Sequence, residues 1–283
     1  MTSIPDTGAG SAADLAALAL AVARRAADLV REHRAGEVTV AATKSSDVDI
    51  VTEADRASEV LIRELLTAAR PEDGILGEEG DDLVGSSGVR WLVDPIDGTV
   101  NFLYGLPQYA VSIAAERTTE DGVEVVAGVV LNVASGAEYV GYVADGGGPA
   151  SVTRDGEPIA VRETVPLSLR LLVTGFNYDT SIRELQAAAL ARLIGKVRDV
   201  RRLGSCALDL CHVAEGAVDG YFEEGVNIWD HAAGGLIARL AGARLETVPG
   251  IGGTDLVVCG PEDGFDDLLA AVRKAGFSPD SGE

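Results

Sequence analysis

Residues 91–102 read WLVDPIDGTVNF, and the reading of this stretch decides the fold. Trp91-Leu92-Val93 is a short apolar run with the character of a buried strand. It drives straight into Asp94 and Asp97, two carboxylates that repel each other when close unless something holds them. Asp94 then stands where the strand leaves its sheet, the usual place for ligands in an α/β protein. Pro95 stiffens the backbone and removes a donor. Ile96 offers its carbonyl oxygen, and a tight turn would aim that oxygen and both carboxylates at one point. Hard oxygen donors with no His or Cys suit Mg²⁺, Mn²⁺ or Ca²⁺ and not Zn²⁺. Gly98-Thr99 opens a short helix whose free N–H groups could cradle a phosphate. Metal held beside a phosphate cradle is an arrangement for phosphoryl transfer. The competing reading is a strand that ends in a polar Asx turn, with Asp97 as the helix N-cap. The stretch alone leaves both open.

Three further acidic segments, taken singly, favour structural readings. ILGEEGDD (75–82) places Glu78 and Glu79 after an apolar run, and alone it reads as a solvated turn. In DGYFEEGVNIWDHAAG (219–234), Glu223 reads as a surface carboxylate and Asp230 as an N-cap. In TKSSDVDIVTEAD (43–55), Lys44 and Asp49 flank an extended run, and Thr52 with Asp55 has the form of a capping box.

The whole chain bounds the function. With 283 residues, 47% of them hydrophobic, it can bury a large core or two moderate ones. Its 45 acidic against 23 basic residues give a net charge of -22. A field that negative repels nucleic acid and anionic membrane, so neither is expected as a partner. Three cysteines without a CxxC pair fit reduced, buried thiols in a cytoplasmic protein. The Ala-rich run near the N-terminus is broken by Arg24, Arg25 and Asp28, so it reads as an amphipathic helix and not a membrane span.

Periodicity predicts helices over 11–34 and 53–69, short strands at 74–77 and 90–93, and a meander over 109–117, 123–132 and 137–145 with a last strand at 159–162. Beyond about residue 163, strands and helices alternate: strands within 169–176 and 197–203 and at 218–223 and 254–259, helices at 181–194, 205–215, 230–241 and 262–275. That pattern predicts an α/β second half. The division expected is a flexible tail over 1–10, an α+β portion over 11–162 and an α/β portion over 163–283 that completes the site.

In order and spacing, the four acidic segments resemble the inositol monophosphatase family. Residues 91–102 match its W-[I/V]-[I/V/L]-D-P-[I/L]-D-G-T-x-N-F segment and WDHAAG (229–234) its W-D-x-A-A-G segment. Gly77-Glu78-Glu79 match its GEE element, and Lys44, Asp49, Val51, Thr52 and Asp55 its K-x(n)-D-x-V-T-x-x-D element. Residues 204–223 (GSCALDLCHVAEGAVDGYFE) look like its bacterial inositol-1-phosphatase branch. The resemblance implies a layered αβαβα sandwich, the α+β/α/β fold shared with fructose-1,6-bisphosphatase. It implies Mg²⁺ as cofactor, two ions with a third weaker one, held by Glu78, Asp94, the Ile96 carbonyl, Asp97 and Asp230. Gly98 and Thr99 become the phosphate cradle, Asp55 the residue that orients Thr99, and Glu78 with Thr99 the pair that activates the attacking water. Lys44, Asp49 and Glu79 would stand behind these. Glu223 is similar to the family glutamate that bonds inositol hydroxyls, which favours inositol 1-phosphate as substrate. Histidinol phosphate, a sugar bisphosphate, a nucleotide 3'-phosphate or a mainly non-catalytic regulatory role are the alternatives. Cys206 replaces the usual small residue beside the inositol pocket. Sensitivity to Li⁺ and a homodimer are also implied.

Overall fold

The computed structural model describes residues 10–36, 40–43, 50–120, 122–145 and 148–279. Helix α1 (Ala12–Ala35) starts at Ser11, whose Oγ accepts from the Asp14 N–H while Asp14 accepts from the Ser11 N–H. Its Leu15, Leu18, Val22 and Ala26 are fully buried along one stripe. The antiparallel strands β1 (Val40–Thr43) and β2 (Ile50–Thr52) lead into α2 (Glu53–Ala69). Strands β3 (Gly74–Gly77) and β4 (Val89–Asp97) follow, then the short helix α3 (Thr99–Tyr104). Strands β5 (Ala110–Thr119), β6 (Gly122–Asn132), β7 (Glu138–Tyr142), β8 (Ser151–Arg154) and β9 (Glu157–Pro158) complete a seven-stranded sheet in simple sequence order. Only β3 and β4 pair in parallel; the rest is an antiparallel meander.

The remainder alternates: β10 (Leu171–Thr174), α4 (Thr180–Leu193), β11 (Asp199–Arg201), α5 (Cys206–Ala214), β12 (Gly220–Glu224), α6 (Ile228–Leu240), β13 (Ala243–Pro249), β14 (Asp255–Pro261) and α7 (Phe265–Ala275). The second sheet has the order β11-β10-β12-β14-β13. Strand β10 is parallel to both β11 and β12, and β14 is antiparallel to its neighbours.

Strand alternation builds the layers. Trp91, Val93, Val111, Ile113, Val129 and Leu131 pack under α1 and α2. The opposite face, with Leu92, Ala114, Val130 and Tyr139, meets α5 and α6. On the far side of those helices lie Tyr221, Val257 and Cys259 of the second sheet. Their strand neighbours Phe222, Leu256 and Val258 face the other way, against α4 and α7. The result is the αβαβα sandwich. Close approach inside the middle layer depends on small residues: a Cβ on Gly234 of α6 would stand 2.9 Å from the Ala207 carbonyl oxygen of α5.

Three sequence-based expectations are corrected. Residues 159–162 form no strand; the last pairing is the two-residue β9, and the Val161 N–H instead reaches the Ala241 carbonyl at 3.0 Å. Strand β13 was not expected, because Arg244 and Glu246 interrupt its apolar pattern. It is an edge strand, where charged side chains are tolerated and keep the edge from pairing further. The strand at 90–93 does not stop at Val93 but runs on to Asp97.

Candidate active site

The continuation of β4 governs the geometry of its carboxylates. Asp94 pairs with Ser112, but Asp97 pairs with Ala110, so three steps on β4 match two on β5. Pro95 cannot donate to the ladder, and the strand bulges there. In a regular strand, residues three apart face opposite sides. The extra residue restores parity, and both carboxylates line one cavity. The Asp94 Oδ1 accepts from the Ile96 N–H at 3.0 Å, which folds the bulge over its own carboxylate.

Asp97 does not cap α3. That position belongs to Gly98, whose φ of 94° favours glycine. Asp97 instead meets the N-terminus of α5, where it accepts from the Ala207 N–H at 2.7 Å, the Cys206 N–H at 3.2 Å and the Ser205 hydroxyl. A carboxylate there satisfies helix N–H groups that have no partner within the helix. Burial nevertheless outweighs these bonds and raises its pKa to about 6. Asp94 is pushed well up, by burial and then by Glu78, Asp97, Asp230 and Asp55.

Helix α2 supplies the support for the cradle. Asp55 is buried on its first turn and accepts from the Thr52 N–H at 2.8 Å and from the Thr52 hydroxyl. Its Oδ1 lies 3.0 Å from the Thr99 Oγ1, and the Ile96 carbonyl lies 3.1 Å from the same hydroxyl, which can donate to only one of them at a time. Burial raises the Asp55 pKa to about 6. The Glu78 N–H bonds the Val93 carbonyl at 3.2 Å, which registers the GEE segment against β4. Glu79 stands near enough to raise Asp55 by like charge, and its backbone N–H is held by Glu59.

The second sheet closes the opposite wall. Glu223 projects from β12, and its Oε2 lies 3.2 Å from the Tyr221 hydroxyl, which also reaches the Cys206 Sγ at 3.0 Å. A Cβ on Gly175 would fall 1.7 Å from the Glu223 carboxylate, so a larger residue in the loop after β10 would displace that side chain. Burial raises the Glu223 pKa to about 7. Asp230 is not the N-cap of α6; Asn227 is, and the Asn227 N–H donates back to Asp230 Oδ2 at 2.7 Å. Burial, then Glu78 and Asp97, push Asp230 well up.

One cavity of about 440 Å³ brings these groups together. Its wall includes Glu78, Asp94, Ile96, Asp97, Gly98, Thr99, Cys206, Glu223 and Asp230. Asp55 and Glu79 lie behind that wall, and Lys44 and Asp49 fall outside the described residues. Four residues of the wall had no sequence signal: Phe176, Asn177 and Tyr178 after β10, and Arg202 before α5. Arg202 is the one cation among the described lining residues. Ser205, which ties Asp97 to α5, was equally unforeseen. Among the described residues, no group of three or more His, Cys, Asp and Glu side chains is drawn tightly enough to hold a metal ion as it stands. The carboxylates surround the cavity without closing on one point. Their chemistry still suits a hard cation, because oxygen is the only donor type they offer and Asp94 is surrounded by other acids.

The sequence profile described as the inositol monophosphatase family matches residues 11–275. The chain belongs to the inositol monophosphatase family. It is therefore a member of a family of metal-dependent phosphatases. A relative named inositol-1-monophosphatase SuhB, from Mycobacterium tuberculosis, is 47% identical over 273 residues, covering 93% of this chain and 92% of that one. A relative named Nus factor SuhB, from Pasteurella multocida, is 38% identical over 227 residues, covering 80% and 82%. The solved structure of Mycobacterium tuberculosis SuhB aligns with a TM-score of 0.75 at 40% identity, over 94% of this chain and 98% of that one. This inositol monophosphatase family member has no helix, among the described residues, long and apolar enough to cross a membrane.

Proposed function

We propose that this chain hydrolyses a phosphate monoester with the help of Mg²⁺, and that the ester is inositol 1-phosphate. One observation carries the reading: a single cavity has Glu78, Asp94, Asp97, Asp230 and the Ile96 carbonyl near the start of α3, and a further carboxylate, Glu223, from the second sheet. The first group is a hard-oxygen set that would hold two Mg²⁺ ions, with a third more weakly. When bound, such ions lower the pKa of a water and neutralise charge on the phosphoryl and leaving oxygens.

The chain's own groups do the rest. Gly98 and Thr99 present N–H groups to the phosphate oxygens. Asp55 accepts a hydrogen bond from the Thr99 hydroxyl and so turns that oxygen's lone pairs toward the attacking water. Glu78 takes the proton the water loses, and the leaving alkoxide takes a proton from solvent water to become the free alcohol. Glu223 accepts hydrogen bonds from polyol hydroxyls and repels a second phosphate. No covalent intermediate is required. Uncatalysed, such esters are among the slowest biological reactions, so positioning and electrostatics must supply almost the whole acceleration.

The test is phosphate release by the purified chain, with and without Mg²⁺, from inositol 1-phosphate, histidinol phosphate, fructose 1,6-bisphosphate and a nucleotide 3'-phosphate. Mg²⁺-dependent release with preference for inositol 1-phosphate is the expected result. Preference for another ester would keep the reaction and overturn the role of Glu223. Cation binding without release from any ester would favour a regulatory role, of the kind suggested by the name of the Pasteurella relative.

A further inference from the structure

Helix α2 meets the site at three places along one face. Asp55 reaches Thr99, the Ser58 hydroxyl donates to the Pro95 carbonyl at 3.3 Å, and Glu59 reaches the segment that carries Glu78. The spacing is i, i+3, i+4, the face a single helix presents to its neighbour. The third contact is the most demanding. Glu59 is only 2% exposed. Its Oε2 accepts from the Glu79 N–H at 2.7 Å and its Oε1 from the Gly80 N–H at 2.8 Å. The Arg63 Nε donates to Oε1 at 2.7 Å and supplies the balancing charge.

Two successive backbone N–H groups converging on one carboxylate make an anion nest. The flanking glycines leave room for it. A Cβ on Gly77 would stand 2.4 Å from the Glu59 Oε1, and one on Gly80 would stand 2.8 Å from it. The residue between Gly77 and the first nest N–H is Glu78, whose own N–H is held by the Val93 carbonyl on the other side. Glu78 is thus pinned between β4 and the Glu59 carboxylate.

We infer that Glu59 is a positioning residue: through the Gly77–Gly80 nest it sets where the Glu78 carboxylate stands relative to Asp94 and Asp97, and so tunes the affinity of the cavity for a divalent cation. This rests on the phosphatase reading above, in which Glu78 is a cation ligand. The carboxylate is specifically required. An amide at position 59 has one acceptor oxygen for two backbone N–H donors, and its NH₂ faces either the Glu79 N–H or the Gly80 N–H and Arg63.

The experiment measures Mn²⁺ and Mg²⁺ affinity by titration calorimetry, with kcat and thermal midpoint, in wild type, Glu59→Gln, Gly77→Ala and the double variant. Gly77→Ala leaves the carboxylate intact but displaces it. Glu59→Gln is expected to fold and to lose about 10–100-fold in cation affinity and kcat, with KM for the ester nearly unchanged. Gly77→Ala should reproduce that loss, and the double variant should be no worse than either single one. A lower midpoint with cation affinity and kcat intact would reduce Glu59 to a structural residue and overturn the inference. So would additive losses in the double variant. Should Glu59→Gln not fold, Gly77→Ala and Gly80→Ala decide it, since unchanged affinity in both would equally overturn the nest. A wild-type chain that bound no cation would overturn the phosphatase reading itself, an outcome distinct from cation binding indifferent to Glu59.

Discussion

The two walls of the cavity are built on different plans. On the side of the first sheet, Asp94, Ile96, Asp97, Gly98 and Thr99 come from six consecutive residues, and a bulge at Pro95 turns both carboxylates inward. Behind them stands a shell of charged and polar groups on α2 and at the start of α5. On the side of the second sheet, Phe176, Arg202, Glu223 and Asp230 come from four separate segments, and Glu223 is held by one tyrosine hydroxyl and the space over Gly175. The first wall has the precision that chemistry demands, since a small displacement of a reacting group is costly. The second wall is assembled from replaceable pieces, which suits the recognition of a leaving group. Substitutions should divide along the same line, with turnover governed by the first wall together with Asp230, the one member of the cation set on the second wall, and substrate preference by the rest of the second wall.

Asp94→Asn should have the largest effect. It removes a charged donor while keeping the shape, so kcat should fall by about 10³-fold or more, a loss of the size seen when transition-state charge is left unstabilised. Because Asp94 is crowded by other carboxylates, the metal-free variant should melt no lower than wild type. Retained turnover would remove Asp94 from the cation site. Glu223→Gln should act more modestly. Turnover of inositol 1-phosphate should fall by about 10–100-fold in kcat/KM, as expected when one hydrogen-bonding group of a substrate pocket is altered, while cation affinity stays close to wild type. If Glu223→Gln instead weakened cation binding as strongly as Asp94→Asn, the division between the walls would collapse.

The same difference explains what could be read in the sequence. Asp94, Asp97, Gly98 and Thr99 were legible because they are contiguous and chemically unusual, and strand alternation placed most of the two sheets. Arg202 and the Phe176–Tyr178 segment were not, because a loop residue's approach to a cavity depends on how α5 and β10 pack and leaves no local period. The local reading of Asp97 as a cap of α3 was half right in chemistry. It does sit on a helix N-terminus, but the helix is α5, more than a hundred residues away in sequence. Glu59 was invisible for a related reason. On a helix with polar and charged neighbours, nothing marks one glutamate as buried until the glycines that make room for it are placed.

The smallest expected effect concerns pH, and it sharpens the comparison because it touches both walls. In the metal-free chain, burial raises Asp55 and Asp97 to about 6 and Glu223 to about 7, and it pushes Asp94 and Asp230 up as well. Asp209 on α5 adds to the set: it is fully buried, neither of its oxygens has a hydrogen-bond partner, and burial pushes it well up. A carboxyl whose pKa is higher folded than unfolded stabilises the fold fully below the unfolded value. That contribution is lost as pH rises through the folded value. The metal-free protein should therefore melt higher by roughly 5 °C at about pH 5 than at about pH 8, the reverse of ordinary acid destabilisation. Asp179 and Asp199, lowered by their hydrogen bonds, act in the opposite sense but are solvated surface groups whose contribution is small. Glu215, lowered against its burial by His212 and Arg154, and His231, lowered by burial, also oppose the trend. The six raised carboxyls outnumber them. Saturating Mg²⁺ should flatten or invert the slope, because a cation that needs ionised ligands stabilises most where protons compete least. Calorimetric melts across this range, with Mg²⁺ and with a chelator, read both slopes directly. A metal-free midpoint that fell steadily toward pH 5 would mean that the cavity carboxylates are solvated rather than crowded, and neither wall would then be poised for a cation.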